Sequence, residues 1–249
     1  MTLWLNGRFL PAGEALIDPT DRGFLLGDGI FETIRVVDGA PMHLAQHLAR
    51  MRCGAVVLGI PVGWDDAALR KTIADVAKAA GLSQAAARLT LTRGPAPRGV
   101  LPPAEPSPTL MISAGALPPP ALPAHAIIAA TTKRNAFSPL SRIKSINYLD
   151  SIIARREAMA RGADEAILLD TTGHLAEATA ANLFLVIGDR IVTPPVEDGA
   201  LPGITRGRLL AAGLAEEERL WPTDCAQAAS AFLTNSLGLR TLTRIEDRR

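Results

Sequence analysis

Cysteine is nearly missing from this sequence: Cys53 and Cys225 are the two among 249 residues. They lie far apart, with no histidine at metal-ligand spacing. A disulfide framework and a zinc site are both set aside, and a reducing, cytoplasmic setting is expected. No uninterrupted apolar run approaches the ~20 residues that span a bilayer, and the start "MTLWLNGRFLPAGEALI" lacks a basic-then-apolar signal pattern. An excess of either charge is also missing. The 26 basic and 25 acidic residues are intermixed and leave a formal charge of +1. That offers no basic face to nucleic acid and no polybasic block to a membrane surface; small neutral or anionic molecules fit better as ligands. Lysine is scarce too, with Lys71, Lys78, Lys133 and Lys144 standing against twenty-two arginines.

The hydrophobic fraction is 48%, enough for one large core or two modest ones. "GALPPPALP", residues 115–123, reads as a linker because its four prolines fix φ and remove amide donors. Two domains follow, 1–114 and 124–249. A second proline-rich stretch, residues 93–108, reads as a long exposed loop of the kind that carries function. In the first half, "LWLNGRFLP" predicts a hairpin at Asn6 and Gly7, and "IFETIRVVDGAPM" a strand, turn and strand. "HLAQHLARMRCGAVVLG" and "DDAALRKTIADVAKAAG" have the spacing of amphipathic helices that stop at glycine, and "ARLTLTRG" alternates as a strand does. The second half predicts strands at "HAIIAATT" and "EAILLD" and a helix over "NYLDSIIARREAMARG". A hairpin turning at Gly188 and Asp189 and a helix after "PGITR" complete it. The class is α+β, without strict βαβ alternation or a GxGxxG fingerprint.

Lys144 stands just before a helix whose Leu149, Ile152 and Ile153 are expected to face a core. Its amine would enter from a partly dry junction, and a desolvated amine is a nucleophile. Taken singly it reads more readily as a snorkelling side chain, which is common for lysine. Lys71 and Lys78 fall on the polar face of their helix, and Lys133 has no distinguishing context. Glu177, in "GHLAEATAANLFLV", is either an exposed carboxylate at a strand end or a deliberately paired one. Gly203, Ile204 and Thr205 open a helix where free amides and the helix dipole suit a phosphate, or simply begin the helix. Thr234, Asn235 and Ser236 could complete the same cradle, or make a turn. Of Arg50 and Arg52, one can reach inward to a dianion. Arg98, in the proline-rich loop, is a candidate clamp for a carboxylate or a solvated surface charge.

The ordered set "DRGFLLGDGIFETIRV", "HLARM", "LTLTRGPAPRG", "RIKSINYLD", "EAILLDTTGHLAEATAANLF", "ALPGITR" and "FLTNSL" resembles the fold-type IV pyridoxal phosphate enzymes. These are the class IV aminotransferases and aminodeoxychorismate lyases, and the likeness covers nearly the whole chain. It implies a two-domain fold like that of the D-amino acid aminotransferases, with pyridoxal 5′-phosphate as cofactor. It further implies that Lys144 is the residue bonded to the cofactor, that Glu177 pairs with the pyridine nitrogen, and that Arg50, Ile204, Thr205 and Ser236 bind the phosphate. Tyr148 matches a tyrosine near the cofactor's phenolic oxygen, and Asn182 an asparagine that holds the strand beside Glu177. The family is homodimeric, with the active site near the interface.

Within the family, "TNSL" and "SPLSRIKSINYLD" look most like the lyases that release pyruvate from 4-amino-4-deoxychorismate and leave 4-aminobenzoate for folate synthesis. "TRGPAPRG" also resembles the loop of D-amino acid transaminases. There an arginine and a histidine trap a carboxylate; Val100 replaces that histidine here, and Phe31 replaces a tyrosine. Transaminases of D-amino acids, branched-chain amino acids or (R)-amines are therefore the alternative.

Overall fold

The computed structural model describes residues 2–246, so residues 1 and 247–249 of the two expected domains lie outside the described residues. The chain divides into two compact units. One takes in Met1–Pro118 with Ile143–Ile146, the other Pro119–Arg142 with Asn147–Arg249. No helix among the described residues is long and apolar enough to cross a membrane.

In the first unit, β1 (Thr2–Leu5) and β2 (Arg8–Pro11) form the expected hairpin. Asn6 and Gly7 take φ of 45° and 95°, the two positive values that a type I′ turn requires. A short helix, α1 (Arg22–Leu26), leads into β3 (Gly29–Val37), which turns through Asp38 and Gly39 into β4 (Ala40–Pro41). Helices α2 (Leu44–Leu58) and α3 (Asp66–Ala79) follow, then β5 (Gln84–Thr92) and β6 (Thr109–Ala116). Glycine stops α2 as predicted, for Gly59 takes φ 65°, whereas α3 starts on the Asp65 carboxylate, which accepts from the Ala68 amide at 2.7 Å. The sheet order is β2-β1-β6-β5-β3-β4, antiparallel throughout. Its core joins Ile30, Ile34, Leu89, Leu91 and Ile112 of the strands to Leu48, Met51, Ile73 and Val76 of the helices. Gly115 and Ala116, expected in the linker, instead extend β6 and pair with Ala86 and Ala85.

The second unit contains β7 (Ala124–Ile128), α4 (Leu149–Ala160), β8 (Glu165–Leu169), β9 (Leu175–Ala178) and β10 (Asn182–Ile187). After these come β11 (Arg190–Thr193), α5 (Ile204–Ala211), β12 (Glu216–Glu217), β13 (Ser230–Asn235) and β14 (Gly238–Glu246). They build a mixed sheet in the order β12-β11-β10-β13-β14-β7-β8-β9. The β10–β11 hairpin turns where expected.

One expectation about α4 is overturned. Leu149, Ile152 and Ile153 are 74%, 52% and 44% exposed; the helix packs through Ala154 and Ala158 against Ile127, Ala166 and Leu168. Alanines four residues apart let the helix axis approach the sheet closely, so the small side chains form the buried stripe and the large ones lie on another face.

Candidate active site

The strand period sorts the side chains of β3 onto two faces. Ile30, Glu32, Ile34 and Val36 are buried on the helix-covered face, so Phe31, Thr33 and Arg35 share the other. Residues 143–146 come back to this strand. Phe31 N donates to Lys144 O at 2.9 Å, Ile146 N donates to Gly29 O at 3.0 Å, and Ser145 bridges Ile30. These backbone bonds hold Lys144 in place, and its Nζ lies 4.5 Å from the Phe31 ring centroid. Of the four lysines, Lys144 alone is not exposed. The Arg88 guanidinium lies 3.8 Å from the same centroid.

Behind that face, Glu32 is fully buried and gathers two partners from α2. Arg50 donates to both of its oxygens at 2.8 and 2.6 Å, and His47 Nδ1 lies 2.7 Å from Oε2. Burial opposes ionisation of Glu32, but the hydrogen bonds from His47 and Arg50 outweigh it and hold the carboxyl below its ordinary range. A carboxylate can only accept, so the proton of the 2.7 Å contact sits on Nδ1 of His47. Arg52, the solvated member of the arginine pair, instead meets Asp66 and the Trp64 carbonyl.

The sign of the pH effect follows. A depressed folded-state pKa stabilises the fold above the unfolded value of about 4.3, and the contribution is lost as pH falls through the folded one. The stability gap between wild type and Glu32→Gln is therefore expected to stay constant above about pH 5 and to narrow in more acid solution. Melting temperatures measured across that range check it; a gap of constant width to the acid limit would refute the assignment.

The second unit holds the other candidates. Glu177, expected between strands, sits on β9, a strand the sequence reading missed. It is paired rather than solvated: Arg134 Nε lies 3.0 Å from Oε1, and Leu201 N donates to Oε2 at 3.0 Å. Arg134 also donates to Gly199 O and Ser141 O. Asn182 Nδ2 donates to Leu201 O at 2.8 Å, so the expectation that Asn182 secures the chain beside Glu177 has a geometric basis. A Cβ on Gly203 would meet Asn182 Oδ1 at 1.9 Å; only glycine fits there. At Gly203, α5 begins with no side chain capping its first turn. The Thr205 hydroxyl donates to Asn235 O at 2.8 Å, and the amides of Ile204 and Thr205 stand in the uncapped first turn, a kind of helix start that suits an anion. Ser236 is half-buried in the two-residue turn that joins β13 to β14. Next along β13, Thr234 is buried and its Oγ1 has no hydrogen-bond partner. That orphaned donor is a feature the site assignment from sequence passed over in favour of Ser236. Tyr148 is half-buried at the residue before α4.

Arg98 is exposed, in the loop between β5 and β6. The loop is fastened around it by residues the sequence reading did not single out. Arg22 donates to Gly99 O at 2.8 Å and Val100 O at 2.9 Å, and both Arg22 and Arg93 pair with Asp28. At Gly94, φ is +87° and a Cβ would lie 1.7 Å from Ser107 O, so the loop can close there only on glycine.

One cluster of potential metal ligands occurs among the described residues, Asp170, His174 and Asp198. Asp170 Oδ1 accepts from the amides of Thr172, Gly173 and His174, and Asp198 pairs with Arg219. These bonds account for Asp170 and His174 as the turn between β8 and β9 and for Asp198 as half of an ion pair.

Residues 29–245 match the family model for amino-transferase class IV. A putative branched-chain-amino-acid aminotransferase of Methanocaldococcus jannaschii is 34% identical over 95% of this chain and 84% of that protein. The aminodeoxychorismate lyase of Bacillus subtilis is 29% identical over 98% of this chain and 87% of its own. The crystal structure of a putative 4-amino-4-deoxychorismate lyase from Legionella pneumophila superposes with a TM-score of 0.86 at 35% identity, covering 94% of this chain and 88% of that one. The chain belongs to the class IV aminotransferase family, and its cofactor is pyridoxal 5′-phosphate.

Proposed function

We propose that the enzyme is an aminodeoxychorismate lyase, releasing pyruvate from 4-amino-4-deoxychorismate to leave 4-aminobenzoate for folate synthesis. The observation that carries the reading is the Phe31 face, where an aromatic ring without a hydroxyl lies beneath both Arg88 and Lys144. A flat, unsaturated ring bearing carboxylates suits such a wall better than a small aliphatic amino acid does. Identities of 29% to the Bacillus subtilis lyase and 35% to the Legionella protein agree with it.

The residues present fit the cofactor. An uncapped helix start with glycine before it and a buried hydroxyl lacking a partner are groups that an esterified phosphate satisfies. Arg50, the Ile204 and Thr205 amides and Ser236 are assigned to that phosphate, Glu177 to the ring nitrogen, and Tyr148 to the phenolic oxygen. Bound pyridoxal 5′-phosphate supplies an electron sink for the carbon that carries the substrate's amine. Arg134 and the Leu201 amide keep Glu177 oriented. Lys144 holds the cofactor and then moves the proton of the amine-bearing carbon. When that proton and the neighbouring enolpyruvyl oxygen leave, the carbocycle gains its third double bond and the departing group takes up a proton to become pyruvate. Arg98 and Phe31 are assigned to the substrate. A cytoplasmic homodimer is part of the reading, and the exposed apolar residues Phe24, Leu25, Leu149 and Ile152 are surface that a second copy would cover.

The second reading, a transaminase, rests on the identity to the Methanocaldococcus jannaschii protein. A product assay decides. The purified enzyme given aminodeoxychorismate is expected to yield 4-aminobenzoate. Brisk amino transfer from D-alanine, leucine or (R)-1-phenylethylamine to a keto acid, with no 4-aminobenzoate formed, would reject the lyase.

A further inference from the structure

Arg134 follows β7, and its main chain is fixed against the end of β8, where its amide donates to Leu169 O at 2.8 Å and it bridges Asp170 in parallel register. Glu177 stands opposite Leu168 on β9, the neighbour of β8 on its other side. The Arg134 guanidinium joins the two. Its Nε lies 3.0 Å from Glu177 Oε1 and donates to Gly199 O at 3.1 Å, while Nη2 donates to Ser141 O at 2.9 Å. Both carbonyls are neutral, so it is at Glu177 that this charge meets an anion. The pair lies mostly out of water, with side chains 18% and 12% exposed, where screening is weaker than at the surface. The Leu201 amide adds a second donor, on Oε2. A nearby cation and hydrogen bonds from N–H groups both favour an ionised carboxylate over the protonated acid. An amide side chain could orient the same oxygen. A full positive charge does more, because it biases where a shared proton rests.

We propose that Arg134 is a positioning residue that keeps Glu177 ionised, so that the proton shared between Glu177 and the cofactor's pyridine nitrogen stays on the nitrogen. The proposal rests on the assignment of Glu177 to that nitrogen and deepens it. A protonated ring draws electrons from the amine-bearing carbon more strongly than a neutral one. Arg134 therefore affects how easily Lys144 removes the proton of that carbon without itself touching the substrate.

The test uses the enzyme reconstituted with pyridoxal 5′-phosphate carrying nitrogen-15 in its ring, and reads the chemical shift of that nitrogen at neutral pH. Wild type is expected to show the shift of a protonated ring. Arg134→Gln, which can still donate but carries no charge, is expected to move it toward the value of an unprotonated ring and to lower kcat about tenfold or more, with KM within about twofold. Arg134→Lys is expected to restore the shift and part of kcat, because it returns the charge without the fork. An unprotonated ring in wild type overturns the proposal whether or not either variant folds. A ring that stays protonated in Arg134→Gln overturns it too, as does Arg134→Lys behaving like Arg134→Gln. Failure of the underlying assignment appears separately, as Glu177→Gln that leaves the wild-type shift unchanged. Failure of the lyase reading appears as wild-type enzyme that forms no 4-aminobenzoate while its ring nitrogen still responds to Arg134→Gln.

Discussion

Lys144→Ala is expected to give a folded protein that takes no borohydride-stable label from pyridoxal 5′-phosphate, shows no visible band, and turns substrate over about 10⁴-fold more slowly or worse. The size of the expected effect follows from the proposal that one side chain both holds the cofactor and moves the proton. The fold should tolerate the loss, because the segment is held by main-chain bonds, Phe31 N to Lys144 O and Ile146 N to Gly29 O. Removing a half-buried side chain there leaves those bonds intact, so stability should change by roughly 0.5 kcal/mol at most. Peptide mass spectrometry after reduction locates the label. Wild type should carry it on Lys144; a label on exposed Lys71, Lys78 or Lys133 would reassign the chemistry.

Much of this was legible in the sequence because it depends on neighbours along the chain. Asn6-Gly7 and Gly188-Asp189 make hairpin turns for local reasons of φ, and the stop of α2 at Gly59 is likewise local. The burial of α4 was not legible. Its strongest hydrophobes, Leu149, Ile152 and Ile153, drew the prediction, while the sheet selected Ala154 and Ala158 because only small side chains permit the approach. The strand β9 was hidden because "LAEA" has neither β-branched residues nor a clean alternation; all four positions are buried. In the candidate site, type and context drew attention to Lys144 and Glu177, but the partners of Glu177, Arg134 and the Leu201 amide, come from distant loops and leave no mark on local spacing. The Glu32, His47 and Arg50 group did leave one. In β3 the alternation places Glu32 between Ile30 and Ile34 on the core face, where a carboxylate must be paired.

The largest expected loss of stability is at Asp28, whose substitution strands two buried cations together. Arg22 and Arg93 both pair with its carboxylate, at 2.8 and 2.7 Å, and each guanidinium side chain is only 5% exposed. Burial works against the charge on Asp28, yet the hydrogen bonds from Arg93 and Arg22 prevail and hold the carboxyl below its usual range. Asparagine keeps the volume but removes the charge, and its amide turns a donor toward one of the two arginines. Breaking a buried pair in this way costs about 3–5 kcal/mol, which for a chain of this length corresponds to a fall of roughly 10 °C in melting temperature. The consequence extends beyond stability. Arg22 also carries the Gly99 and Val100 carbonyls, and Arg93 the Leu58 and Gly59 carbonyls at the end of α2. Loosening Asp28 therefore frees the loop on the C-terminal side of exposed Arg98. Trypsin is expected to cleave Asp28→Asn after Arg98 faster than wild type at a temperature where both remain folded, and carboxylate substrates should show a raised KM. An unchanged melting temperature together with an unchanged cleavage rate at Arg98 would mean that the two arginines find other partners, and that Asp28 is not what fastens the loop.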